Sequence, residues 1–87
     1  MQNENINEDD RITLLKKKAH AFLVLDKLVH ISFNDGKFFK RGFIKEVKAD
    51  FFMLEERLEG LQPIFFQEVK SIELYKVRRE DLYGKNI

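Results

Sequence analysis

The stretch Leu28-Val29-His30-Ile31-Ser32-Phe33-Asn34-Asp35-Gly36 decides how this chain folds. Val29, Ile31 and Phe33 alternate with His30 and Ser32, the period of two that a strand with one buried face requires. Asn34-Asp35-Gly36 then reads as a hairpin turn, because glycine supplies a positive φ and Asn and Asp tolerate turn geometry. A return strand is expected from Lys37 to about Lys48, long for a small domain and interrupted by Gly42. Glycine weakens a strand unless the chain bends there or another backbone comes close. A long strand bent at glycine is one way a small sheet curls into a barrel.

Beyond this hairpin, Ala49-Asp50 reads as a turn and Phe51-Phe52-Met53-Leu54 as a third strand that ends at Glu55-Glu56-Arg57. Leu58 to Pro63 reads as a loop, Ile64-Phe65-Phe66 as a short fourth strand and Ser71 to Val77 as a fifth. Before the hairpin, Ile12, Leu15, Ala19, Phe22 and Leu23 recur at helical spacing. Asn7 or Asp9 can cap that helix, and the acids of its first turn suit the positive end of the helix dipole. The expectation is a mainly β protein, an N-terminal α-helix followed by a five-stranded, strongly bent antiparallel small β-barrel. One domain is expected over residues 1–87, with a frayed start at 1–7, the helix at 8–24, the barrel at 26–77 and a polar tail at 78–87.

Composition narrows the function without naming it. The 87 residues are 44% hydrophobic and 36% charged, too apolar for general disorder. The absence of cysteine excludes disulfides, thiolate metal sites and a thiol nucleophile. Nine phenylalanines and no tryptophan point to a core of rings that need no hydrogen-bond partner. With two histidines far apart in sequence, no phosphate-binding glycine loop and no activated nucleophile, neither an enzyme nor a metal or other cofactor is expected. No apolar run approaches the roughly 20 residues that cross a bilayer, so a cytoplasmic protein with no membrane partner is expected. Net charge is +1, but residues 1–10 carry −4, residues 11–50 carry +6 and residues 51–87 carry −1. The basic middle suits a phosphate backbone, and equally a solvated face.

Lys37-Phe38-Phe39-Lys40-Arg41 lies in that basic middle, with cations to meet phosphates and rings to stack on bases. The candidate nucleic-acid contacts are Lys37, Phe39, Lys40, Arg41, Lys48 and Phe52. Adjacent phenylalanines on a strand point to opposite faces, so only one of each pair is expected to be buried. The three pairs, Phe38-Phe39, Phe51-Phe52 and Phe65-Phe66, carry more apolar surface than one barrel interior hides.

From about Phe22 to Val77 the chain resembles the Sm-like (LSm/Hfq-type) proteins. The resemblance rests on Leu28 to Phe33, Asn34-Asp35-Gly36, Gly42-Phe43-Ile44, Phe51 to Glu55, Ile64-Phe65-Phe66 and Val69-Lys70-Ser71-Ile72. It implies a small barrel that binds single-stranded RNA and assembles as a homo-oligomeric ring, with Ile64, Phe65, Phe66, Ile72 and Leu74 as candidate subunit contacts. An open barrel also leaves strand edges that must be covered or paired, whatever its family. The chain departs from the family pattern at three places. The loop Lys48-Ala49-Asp50-Phe51-Phe52 has no Asn, Phe65-Phe66-Gln67 stands where Arg-Gly or Lys-His is usual, and five residues separate Gly36 from Gly42, one more than usual. The family's uridine pocket therefore does not carry over residue by residue. A protein-interaction module on the same barrel, without nucleic acid, is the competing reading.

Overall fold

The computed structural model describes residues 8–76, so the expected frayed start, the polar tail and Val77 lie outside the described residues. Helix α1 runs from Glu8 to Leu25. It ends because Asp26 turns left-handed at φ 54°. The Asp26 and Lys27 N–H groups then reach back to the carbonyls of Leu23 and Phe22, at 3.3 and 3.4 Å, and satisfy the last turn. The five strands are β1 (Leu28–Phe33), β2 (Phe39–Val47), β3 (Phe51–Glu56), β4 (Gly60–Phe65) and β5 (Val69–Leu74). A short 3₁₀ turn at Phe66–Glu68 joins the last two.

All strand pairings are antiparallel and the order across the sheet is β4-β3-β2-β1-β5. The mainly β architecture expected from the sequence is present, with β2 at its centre. The turn Phe33–Gly36 closes with a 2.9 Å bond from the Gly36 N–H to the Phe33 carbonyl, and Gly36 takes φ 69°. Strand β2 changes partner along its length: Phe39 to Phe43 pair with β1, and Gly42 to Val47 pair with β3. A register shift between Ile44 and Glu46 adds a bulge at Lys45, which increases the local twist. The sheet folds over at this crossing. Core residues from both of its ends, Ile64 on β4 and Ile72 on β5, therefore meet in one cluster with Val29, Ile31, Ile44, Phe52, Leu54 and Phe66.

The helix closes that cluster. Leu15 and Ala19 are buried in it, and Ile12, Phe22 and Leu23 pack against it, as the spacing predicted. Arg11 fastens the first turns by donating to the carbonyls of Val69 and Gln67.

Several boundaries differ from expectation. Strand β3 continues through Glu55 and Glu56 instead of stopping before them. The Glu56 carboxylate accepts the N–H groups of Leu58 and Glu59 at 3.0 and 2.7 Å, and so holds a tight turn where a loop was expected. Gly60 at φ 81° starts β4 there, and Pro63 lies inside the strand. Edge position makes that proline tolerable. Phe66 leaves the strand for the 3₁₀ turn, and β5 starts at Val69 rather than Ser71.

Candidate nucleic-acid interface

The outward residues of β2, β1 and β5 form one continuous face. Register places Phe39 beside Ser32 and Ser32 beside Ser71, and in the next row Arg41 beside His30 and His30 beside Glu73. Phe39 stands on this face and Phe38 at its end, with 55% and 51% of their area exposed. The expectation that one of them would be buried is wrong. Phe38 precedes the strand and stacks on Phe33 with centroids 4.9 Å apart, whereas Phe39 stacks on His30 at 4.6 Å. Each ring is backed on one side and open to solvent.

Between the rings lies a shallow depression floored by Ser32 and Ser71, with Lys37 and Lys70 at its rim. Neither lysine forms an ion pair among the described residues. Arg41 borders an adjoining hollow. Its Nη1 donates to the Tyr75 hydroxyl at 2.7 Å, and its guanidinium lies 5.0 Å from the Tyr75 ring centroid. Glu73, the acid on this face, is paired with Lys18 of the helix at 3.0 Å. Open rings, hydroxyls and unpaired ammonium groups together suit a strand of bases and phosphates.

Three of the six sequence candidates are therefore brought together, Lys37, Phe39 and Arg41. The other three lie elsewhere in the fold. Lys40 lies opposite Ile31, a core residue, so it points to the inner side of the sheet and pairs with Glu59 at 3.0 Å. Lys48 lies past the other end of β2 and pairs with Glu46 at 2.8 Å. Phe52 is 0% exposed, with its ring 5.3 Å from that of Phe66, and offers no surface for stacking. His30, Ser32, Lys70, Ser71 and Tyr75 line the same depressions and were not among the candidates. The alternation in β1 put His30 and Ser32 on its polar side, but only the β1–β5 pairing brings β5 beside them.

The Lys40–Glu59 contact has a consequence for pH. A hydrogen bond from Gln62, and then the Lys40 ammonium, hold the Glu59 carboxyl below its ordinary value of 4.5. A depressed folded-state value stabilises the fold above the ordinary value, and the gain is lost as pH falls through the lower folded one. Glu59→Gln should therefore be less stable than wild type at pH 7, with the difference shrinking below pH 4.5. Urea unfolding of both proteins across that range checks it.

No family model matches the sequence, and no curated protein matches it. Among solved structures, the crystal structure of the pleiotropic translational regulator Hfq is similar, with a TM-score of 0.61 at 18% identity. The match covers 70% of this chain and 98% of the Hfq chain. The chain has an Sm-like fold. At that identity the likeness concerns the fold, so function has to be argued from this chain's own residues.

In Sm-like terms, the departures seen in the sequence have structural causes. At the loop after β2, Phe52 turns inward instead of presenting a polar group. At Phe65-Phe66-Gln67, Phe66 is 0% exposed, and the Gln67 carbonyl is occupied by the Asn34 amide at 2.7 Å and by Arg11. Among the described residues, no three His, Asp or Glu side chains converge as a metal site requires, and no helix is long and apolar enough to cross a membrane.

Proposed function

We propose that this chain is a cytoplasmic, non-enzymatic Sm-like protein that binds single-stranded RNA on the outer face of β2, β1 and β5 and acts as a homo-oligomer. The observation that carries the reading is the pair of half-exposed rings, Phe38 and Phe39, flanked by Lys37 and Lys70 without ion-pair partners among the described residues. The similar structure belongs to a translational regulator, and a shared fold supports RNA as the ligand without specifying it.

The assembly half of the proposal rests on the open edges β4 and β5. Pairing β4 of one copy with β5 of the next covers both, and such a head-to-tail contact closes into a ring when its rotation divides a full turn. The candidate contacts need revision, because the side chains of Ile64, Phe66 and Ile72 are core and cannot meet a neighbour. Phe65 and Leu74, each 46% exposed, and Leu61 remain as apolar contacts.

Fluorescence anisotropy with labelled single-stranded RNA tests the ligand. Affinity should fall steeply with salt, because released counterions drive such binding. Phe39→Ala should weaken it by roughly five- to hundredfold, the worth of one base stack. Lys37→Ala should weaken binding evenly across sequences and reduce the salt slope by about 1. Absence of binding at low salt to RNA of any composition would refute the RNA reading. The exposed apolar edge residues Leu61 and Phe65 then favour the protein-interaction module.

A further inference from the structure

The β3–β4 ladder runs without a register shift from Phe51 opposite Phe65 to Glu56 opposite Gly60, passing through Met53 opposite Pro63. The Phe66 N–H donates to the Asp50 carbonyl at 3.0 Å. Backbone groups on an antiparallel strand alternate in direction, so Gly60, Gln62 and Ile64 face β3, and Leu61, Pro63 and Phe65 face the open edge. A proline fits inside a paired strand only in that phase. The edge of β4 thus presents N–H groups at Leu61 and Phe65 and none between them.

On the other edge, the Tyr75 N–H donates to the Leu28 carbonyl at 3.0 Å, so Glu73 and Tyr75 face β1 while Ile72 and Leu74 face outward. Any antiparallel seating of those two successive residues on the three of β4 puts one of them opposite Pro63. Its carbonyl then has no donor. We infer that Pro63 is a built-in limit on strand addition at the β4 edge, which accepts the β5 edge of a second copy of this chain through a ladder one hydrogen bond short. The inference rests on the assembly reading above. Exposed Leu61 and Phe65 on one side and Leu74 on the other give the contact its apolar part. The same missing donor blunts the edge against strands of unrelated chains.

Pro63→Ala and Pro63→Val both restore the donor, and only valine adds a large apolar side chain. Equilibrium sedimentation over a concentration series, with circular dichroism to confirm folding, is the test. Both variants should self-associate about three- to tenfold more tightly per contact than wild type, the worth of one net hydrogen bond. If wild type associates and neither variant is tighter, the role of Pro63 is overturned and the assembly reading stands. If wild type remains monomeric while both variants associate, Pro63 is supported and wild-type assembly is overturned. Three monomeric proteins overturn both. A gain confined to Pro63→Val overturns the hydrogen-bond role, since it assigns the effect to apolar area.

Discussion

Gly42→Val should destabilise the protein by at least about 3 kcal/mol, a large fraction of its total stability. A Cβ at position 42 clashes with the Glu55 carbonyl oxygen and meets its carbon at 3.0 Å and Leu54 Cγ at 3.1 Å. Two of those three atoms are backbone of the paired strand β3, which cannot rotate aside. The sequence suggested two reasons for this glycine, a bend or a close backbone approach, and the close approach is present. Overpacking of this kind costs about 3 kcal/mol, in a domain whose size implies roughly 4–13 kcal/mol in total. Even Gly42→Ala introduces the shortest contact, so it should lose a large part of that cost as well. Urea unfolding followed by circular dichroism measures both. A Gly42→Val protein with an unchanged midpoint would mean that β2 and β3 do not cross this closely.

Phe66→Lys should abolish cooperative folding, although the family resemblance placed Phe66 among the subunit contacts. Its ring is 0% exposed and lies 5.3 Å from that of Phe52 in the shared core of sheet and helix. Removing such a ring costs about 3–5 kcal/mol, and burying an ammonium without a partner adds to that. Phe65→Lys is the informative contrast. Phe65 is 46% exposed and packs on Phe51 at 5.3 Å on the outer side, so lysine there should keep the fold and weaken any assembly. Equal loss of structure in both variants would show that the two faces of this segment have been wrongly assigned.

The two neighbours Phe65 and Phe66 show how far local pattern reaches. Alternation says that adjacent side chains on a strand lie on opposite faces. It held for Phe51-Phe52 and Phe65-Phe66, where the second ring of each is buried. For Phe38-Phe39 the rings also turn opposite ways, Phe38 onto buried Phe33 and Phe39 onto outward His30, yet both stay about half exposed. Which member of a pair goes inside depends on the phase of the strand against the rest of the core, and one strand alone does not carry that phase.

Sequence alone determined the helix and its buried stripe, the alternation of β1, the turn at Gly36 and the need for a glycine at position 42. Each of these is set by interactions among residues close in the chain, or by conformations open to few residue types. Tertiary structure decided which cations are available. Lys37, Lys40 and Arg41 are near neighbours in sequence, yet Lys37 stands at the rim of the outer depression, Lys40 turns inward to Glu59 and Arg41 lies against Tyr75. The partners of Lys40 and Arg41 are 19 and 34 residues away in the chain. Strand pairing brings Tyr75 up, and a turn held by the Glu56 carboxylate brings Glu59 up, and neither leaves a periodic trace in the sequence. The candidate face has the same origin, because Ser71 and Lys70 reach Ser32 and Phe39 only when β5 closes on β1.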